Sequence, residues 1–262
     1  NQMKRSVLYI TLGFFIFMIS CNSEGNQVPP ESNNVRSYLI DAARAISDNA
    51  LNDINTLDDW QIARNERYQE FLEMMSLEGM PSMSDRTPLN TQITGVVRQS
   101  GFHIEKLYYE SLPGLFVRAN LYIPDNIDKP CPAILYVCGH SRTQKVHYQA
   151  HPRKFAQLGF VCLIIETIQF GEVSGEHWGP YSNGLFNWYS RGYNPAAVEL
   201  WNAIRGIDLL ASRPEVDPEN IGVTGISGGG SQSFYIAAAD QRIKAAAPVC
   251  GASTLKAQIT AR

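Results

Sequence analysis

The chain has 262 residues, a formal net charge of −3 at pH 7 and a hydrophobic content of 44%. A chain of this length can bury a large core without disulfides or a metal, and one large α/β domain with an appendage is the expected organisation. The small negative charge and the lack of a long Lys and Arg run argue against a nucleic-acid partner, so a small molecule or a glycan is favoured.

The N-terminus has the pattern of an export signal. Met3-Lys4-Arg5 precedes an apolar run over residues 7–19, and Ser20-Cys21-Asn22 follows. The run is shorter than the roughly 20 apolar residues that a membrane span needs. The pattern resembles a bacterial lipoprotein signal peptide over residues 1–21, in which Cys21 carries the lipid. An ordinary signal peptide and a short anchor helix are the alternatives. We expect an exported protein, periplasmic or on the cell surface, that meets the membrane only through its lipid anchor.

Two further segments precede the main domain. Residues 22–34 are polar and contain a proline pair, which predicts a disordered tether. Residues 35–90 contain apolar side chains at helical spacing, first over residues 38–46 and then over residues 60–75. We therefore expect a helical N-terminal layer.

A sheet is predicted from His103 onward, because the hydrophobic period changes to two. Residues 103–109 and 115–123 alternate and are joined at Pro113-Gly114, which indicates a hairpin. Residues 133–138 and 160–165 are continuous apolar runs, as expected for parallel strands covered on both faces.

Helices are predicted between and after these strands. Phe155 and Leu158 followed by Gly159 indicate a crossover helix with a glycine stop. A long apolar stripe over residues 197–211 predicts a second helix packed on the sheet. Residues 243–249 predict one further strand.

The central motif is a glycine-rich turn between a strand and a helix. A β-branched run over residues 221–226 leads into Gly225-Ile226-Ser227-Gly228-Gly229, and a helix-compatible segment follows over residues 231–239. In a G-x-S-x-G elbow the serine occupies a strained turn, and Gly225 and Gly229 stand where a Cβ would strike neighbouring backbone. Ser227 is therefore the predicted nucleophile. The alternative is a glycine-rich turn with an incidental serine.

The start of the following helix adds an anion-binding element. The Gly228 N–H and the positive end of the helix dipole point at any oxyanion that forms when the serine attacks a carbonyl. Cys138 and Cys250 are weaker candidates for the nucleophile, because neither lies in such an elbow.

The order of these elements resembles an α/β-hydrolase of the acetyl xylan esterase-like group. The features that carry the likeness are Arg213-Pro214-Glu215-Val216-Asp217, the elbow and the segment Asp240 to Pro248. The likeness extends from about Trp60 to the end. It implies an α/β-hydrolase domain over residues 91–262, with a mostly parallel sheet, flanking helices and the last strands missing.

The resemblance also implies a second oxyanion donor. In that group the donor is a backbone N–H in a His-Gly-x motif after the third strand. This chain has Cys138-Gly139-His140 there, so cysteine replaces the first histidine. Because the donor is a backbone group, the role passes to His140 whatever its side chain.

The resemblance places the acid and the histidine of a catalytic triad after the nucleophile. All five histidines precede Ser227, and residues 249–262 contain no Asp, Glu or His. The resemblance therefore implies a C-terminally truncated hydrolase, which we expect to be inactive as it stands.

Other residues suggest binding rather than catalysis. His147 and His151 are spaced i, i+4, but no carboxylate or cysteine completes a tetrahedral set there, so we expect no metal, and the chemistry requires no cofactor. Six aromatic residues precede the long helix and either stack on a sugar ring or pack over the sheet. They are Trp178, Tyr181, Phe186, Trp188, Tyr189 and Tyr193.

The resulting hypothesis is a serine carboxylesterase that removes acyl groups, plausibly acetyl, from polysaccharide. The alternatives are a serine peptidase of the prolyl-oligopeptidase type and a non-catalytic glycan-binding protein with a hydrolase-like fold. The acyl group, the sugar and the oligomeric state do not follow from the sequence.

Overall fold

The computed structural model describes residues 35–253. The predicted signal peptide, the lipidation site at Cys21 and the tether lie outside these residues. Among the described residues, no helix is both long enough and apolar enough to cross a membrane.

Eight helices and seven strands follow one another within the described part of the chain. The helices are α1 (Val35–Asn49), α2 (Leu57–Met74), α3 (Gln144–His147), α4 (Ala150–Gln157), α5 (Gly179–Ser182), α6 (Asn187–Ser190), α7 (Pro195–Ala211) and α8 (Gly228–Ala239). The strands are β1 (Gln92–Gln99), β2 (Phe102–Leu112), β3 (Leu115–Pro124), β4 (Cys131–Val137), β5 (Val161–Ile165), β6 (Val216–Ile226) and β7 (Ile243–Val249). A short 3₁₀ helix, Met83–Asp85, lies between α2 and β1.

The strands form one sheet in the order β1-β2-β3-β5-β4-β6-β7. Pairing is antiparallel from β1 through β2 and β3 to β5, and parallel from β5 through β4 and β6 to β7. The parallel half carries continuous apolar strands, because helices cover both of its faces. This confirms the predicted α/β-hydrolase architecture, including the hairpin, the crossover helix α4 and the two parallel strands.

The strand β1 was not predicted from the sequence. Its side chains are exposed or partly exposed on both faces, so it lacks the alternation that marks a half-buried strand. The register also shifts between Ile93 and Gly95, which interrupts the period of two. Backbone pairing with β2 alone defines this edge strand.

The long helix α7 holds the sheet and the N-terminal region together. Asn194 accepts a hydrogen bond from the Ala196 N–H, and Pro195 occupies the first turn, so the helix begins where proline is tolerated. Leu200 and Ile207 are fully buried against the sheet. The Trp201 indole donates to the Ser111 carbonyl at 3.0 Å, which ties the helix to β2.

The helix α2 begins one turn earlier than its apolar pattern. Thr56 is the N-cap, and Asp59 completes a capping box by bonding back to the Thr56 N–H. Most of the helix stays solvent-exposed, with Trp60 44% exposed. Only its C-terminal end meets the core, through Phe71 and the following Met75. The helical layer is present, and its predicted apolar stripe is covered at one end only.

One carboxylate joins three distant parts of the fold. Asp208, on α7, accepts from Arg86 at 2.6 Å and from Arg242 at 2.7 Å, and it also pairs with Arg205. Arg86 precedes the sheet and Arg242 precedes β7, so Asp208 holds these two segments against α7. Side-chain exposure of Asp208 is 14%, which makes its charge costly to leave unpaired.

We predict that Asp208→Asn destabilises the protein by about 3 kcal/mol, because the buried Arg205 and the partly buried Arg86 and Arg242 lose their shared anion. This value is at the low end of the roughly 3–5 kcal/mol that breaking a buried ion pair costs, because Arg205 and Arg242 keep other acceptors. Denaturant unfolding of both proteins measures the difference.

The matched control is Asp41→Asn. Asp41 pairs with Arg44 on α1, and both side chains are more than half exposed. The expected loss is below about 0.5 kcal/mol. Equal losses for the two variants would contradict the role assigned to Asp208.

Candidate active site

The site forms where the parallel strands β4 and β6 end. The register pairs Val137 with Gly225, so the residues that follow each strand meet at the same edge of the sheet. On β4 these residues are Gly139 and His140, and on β6 they lead into Ser227. Ligands bind at the carboxyl ends of strands in sheets of this kind.

Ser227 lies in the sharp turn that the sequence predicts. Its φ is 59° and its ψ is −121°, a conformation that few residues other than glycine adopt. Its N–H donates to the Val249 carbonyl at 2.9 Å, which anchors the turn to β7. The side chain is exposed, while the neighbouring Gly225 and Gly229 are buried. The turn therefore presents one hydroxyl to solvent at the edge of the sheet.

The elbow glycines are required by close backbone contacts. A Cβ at Gly225 would lie 2.7 Å from the Gly229 carbonyl oxygen and would overlap the Val137 carbonyl oxygen. A Cβ at Gly229 would lie 2.8 Å from the Cys138 carbonyl carbon and would also overlap the Val137 oxygen. Real Cβ atoms do not approach backbone so closely. The predicted spacing of glycines thus matches the contacts of the turn.

The two predicted oxyanion donors lie on either side of Ser227. Gly139 packs against the turn, and a Cβ placed on it would lie 3.3 Å from the Ser227 Cβ. The His140 ring covers Gly228, whose added Cβ would lie 2.7 Å from the ring Cε1. Among residues 35–253, the N–H groups of His140 and Gly228 have no backbone or side-chain acceptor. The geometry brings these three residues together, and their catalytic roles remain predictions.

An aromatic wall stands next to the His140 ring. Phe170, His177 and Trp178 lie with their ring centroids 5.7, 4.7 and 4.8 Å from that of His140. Trp178 and His177 are also perpendicular to each other at 4.8 Å. We expected Trp178 near the site, whereas the sequence did not indicate Phe170 or His177.

A chain of hydrogen bonds runs from the His140 ring into the core. The His140 Nε2 lies 2.8 Å from the His177 Nε2, and the His177 Nδ1 lies 2.7 Å from the Glu199 Oε1. The other Glu199 oxygen accepts from Gln232 at 3.1 Å. Burial raises the pKa of Glu199, an effect that the His177 hydrogen bond opposes, and burial together with His177 lowers the pKa of His140.

The sequence contains one signal for this chain of hydrogen bonds. Glu199 lies in the otherwise apolar turn of α7 between Ala197 and Leu200 and is only 9% exposed. A charged residue in such a stripe needs a polar partner. The sequence cannot name that partner, because His177 is 22 residues away on an irregular segment.

Three of the six predicted aromatic residues line a cavity beside this wall. Trp178, Tyr189 and Tyr193 contribute to a cavity of about 650 Å³ between the end of α2 and the start of α7. Trp188 is perpendicular to Tyr193 at 4.5 Å, and it therefore packs within the segment. Trp178, Tyr189 and Tyr193 thus line open space, and Trp188 packs against Tyr193, whereas stacking on a sugar ring stays a prediction.

The other candidate residues lie elsewhere or are inactive. His151 stacks on Tyr136 and lies 2.9 Å from its hydroxyl, away from the elbow. No group of three potential metal ligands occurs among the described residues. Cys138 is buried, and burial raises the pKa of its thiol well above the ordinary value. A protonated thiol is a weak nucleophile, which favours Ser227.

We predict that Gly229→Ala lowers stability by about 1–3 kcal/mol or more, because the added methyl group meets the Val137 carbonyl and forces the elbow apart. Thermal unfolding measures the change. Gly79→Ala is the control, since a Cβ there has nothing within 4 Å. If Gly229→Ala were as stable as the control, the turn would not be packed as described.

Comparisons with known proteins agree with this architecture. The family model described as acetyl xylan esterase (AXE1) matches residues 48–251. YtaP of Bacillus subtilis (strain 168) is 24% identical over 204 residues, which cover 71% of this chain and 64% of YtaP.

Two solved structures show the same fold. Methylesterase BT1017 has a TM-score of 0.63 at 18% identity, over 82% of this chain and 46% of its own. The acetyl xylan esterase from Paenibacillus sp. R4 has a TM-score of 0.52 at 20% identity, over 73% of this chain and 59% of its own.

The chain thus spans less than two thirds of each of these relatives. The family model covers most of the chain, including the sheet, α7 and the elbow. The chain belongs to the acetyl xylan esterase (AXE1) family of the α/β-hydrolase superfamily.

Proposed function

We propose that this protein is a serine carboxylesterase that removes small acyl groups from polysaccharide, with Ser227 as the nucleophile. The observation that carries the proposal is the strained turn at Ser227, which exposes one hydroxyl beside Gly139 and Gly228. Family membership supports ester hydrolysis as the reaction class.

The proposed reaction proceeds through an acyl-enzyme. The Ser227 Oγ attacks the ester carbonyl carbon, and the carbonyl oxygen becomes an oxyanion between the N–H groups of His140 and Gly228. Each such donor contributes about 3–4 kcal/mol to transition-state stabilisation. The sugar hydroxyl leaves with a proton, and water then attacks the acyl-enzyme and releases the acid. No cofactor takes part in these steps.

The nucleophile needs a base to accept its proton. In hydrolases with this elbow a histidine takes that proton and a carboxylate orients the histidine. Among residues 35–253, no histidine forms a hydrogen bond with Ser227. The residues described here supply the nucleophile, the oxyanion donors and a wall of the binding site.

The aromatic rings support a carbohydrate substrate. Trp178 stands beside the elbow, and Tyr189 and Tyr193 extend the aromatic surface into the adjoining cavity. Flat apolar rings with polar edges suit the faces of sugar rings. His177 and Trp178 belong both to the aromatic wall beside His140 and to the lining of the cavity, which favours a substrate longer than the acyl group alone.

We predict that the product of the complete gene releases acetate from acetylated xylo-oligosaccharides, and that Ser227→Ala lowers kcat by about 10⁴-fold or more. The activity of the wild type and of the variant is measured by acetate release and by hydrolysis of an aryl acetate. Ser231→Ala is the matched control, because Ser231 lies one turn further along α8 and bonds the Gly251 carbonyl.

Two outcomes would contradict the proposal. Full activity of Ser227→Ala would show that Ser227 is not the nucleophile. Faster cleavage of prolyl peptides than of acetyl esters would favour the peptidase alternative, and no turnover of either substrate by the wild-type protein would favour the glycan-binding alternative.

A further inference from the structure

The chain of hydrogen bonds behind His140 ends at Gln232, whose side-chain amide has a fixed orientation. The Gln232 Nε2 faces the Glu199 Oε2 at 3.1 Å and the Ala196 carbonyl at 3.4 Å. A carbonyl oxygen can only accept, so the amide group of Gln232 points its hydrogens toward both oxygens. Glu199 is buried, so few competing partners from solvent reach these atoms. Glu199 therefore acts as an acceptor toward Gln232.

The same carboxylate sets the protonation of His177. The His177 Nδ1 lies 2.7 Å from the Glu199 Oε1. Burial raises the pKa of Glu199, and the hydrogen bonds from His177 and Gln232 oppose that shift by favouring the ionised form, which has no hydrogen to donate. The Nδ1 must then carry the proton. In the neutral imidazole the opposite nitrogen, Nε2, has only a lone pair.

The lone pair of His177 in turn sets the protonation of His140. The two Nε2 atoms are 2.8 Å apart, a distance that requires one hydrogen between them. Because the His177 Nε2 is an acceptor, the His140 Nε2 is the donor. The lowered pKa of His140 agrees with a neutral ring. A neutral ring protonated on Nε2 has a bare Nδ1.

The bare nitrogen lies beside the elbow. The Cε1 edge of the ring, which carries both nitrogens, covers Gly228. A Cβ placed on Gly228 would lie 2.7 Å from Cε1, 3.0 Å from Nε2 and 3.1 Å from Nδ1. The His140 side chain is accessible to solvent. Among residues 35–253, no group forms a hydrogen bond with the Nδ1. An acceptor without a partner among the described residues thus lies beside Gly228, the residue that follows Ser227.

We propose that Glu199 and His177 are positioning residues that hold His140 in one tautomer, so that its Nδ1 accepts a hydrogen bond from a substrate hydroxyl next to the ester. The hydroxyl part of this inference rests on the proposed function. The substrate class that fits is a partly acylated sugar with a free hydroxyl neighbouring the ester. A substrate group that can only accept a hydrogen bond would be repelled at this position, because its lone pair would face the lone pair of the His140 Nδ1.

The tautomers can be read directly by nuclear magnetic resonance. In the product of the complete gene labelled with ¹⁵N-histidine, two-bond ¹H–¹⁵N correlations identify the protonated nitrogen of each ring at neutral pH. The expected result is Nε2–H for His140 and Nδ1–H for His177. The opposite pair of tautomers, or averaging between the two forms in either ring, would overturn the proposal.

Glu199→Gln provides a sharp test, because glutamine has nearly the same shape. Gln232 keeps its hydrogens toward position 199, so the new amide must turn its oxygen to Gln232 and its hydrogens to His177. The His177 Nδ1 then accepts, and the proton order reverses along the chain. We expect Nε2–H for His177 and Nδ1–H for His140 in this variant.

The matched control is Glu176→Gln. Glu176 precedes His177 by one residue, and its side chain bonds Asn183 rather than a histidine. Both rings should keep the wild-type tautomers. Unchanged tautomers in Glu199→Gln, or equal changes in both variants, would show that Glu199 does not determine the tautomers of His177 and His140.

Activity separates this inference from the proposed function. We expect Glu199→Gln to lower kcat/KM about tenfold for an acetylated xyloside with a free neighbouring hydroxyl, and much less for an aryl acetate without one. Equal losses on the two esters would contradict the hydroxyl contact while leaving the tautomer result intact. If Ser227→Ala retained activity, the proposed function would fail. The tautomer measurement would still show whether Glu199 and His177 set the protonation of His140.

Discussion

The site depends on the contact between the end of β4 and the turn after β6. Parallel pairing places the Val137 carbonyl against the elbow, and only glycine at positions 225 and 229 leaves room for it. This contact holds Ser227 at a positive φ and brings Gly139 and His140 to its side. A strained backbone conformation persists only when its surroundings fix it firmly, and here two strands and a helix do so.

Elements with a strong local signal could be predicted from the sequence. The hairpin β2–β3 alternates on both sides of Pro113-Gly114, the buried strands β4 and β5 are continuous apolar runs, and the elbow is a glycine-rich motif. Strand β1 has no such period, since neither face is buried and Gly95 adjoins a register shift. The stripe of α2 was only partly informative, because periodicity predicts a helix but does not predict what covers it.

The hydrogen-bond array could not be predicted, for a different physical reason. Its members lie on separate elements: His140 follows β4, His177 lies in an irregular segment and Glu199 is on α7. Tertiary packing alone brings them together, and no spacing rule relates them. The elbow, by contrast, is local, since the backbone geometry of five consecutive residues defines it. The sequence therefore indicates the candidate nucleophile, whereas the side chains that surround it are brought together only by the fold.

The central claim is that Ser227 is a nucleophile facing two backbone donors, and a covalent adduct tests it most directly. A fluorophosphonate forms a stable tetrahedral ester with an activated serine. We predict that a crystal structure of the adduct shows phosphorus bonded to the Ser227 Oγ and the phosphoryl oxygen within hydrogen-bond distance of the His140 and Gly228 N–H groups. Phosphorus on another residue, or a phosphoryl oxygen directed away from both N–H groups, would contradict the account.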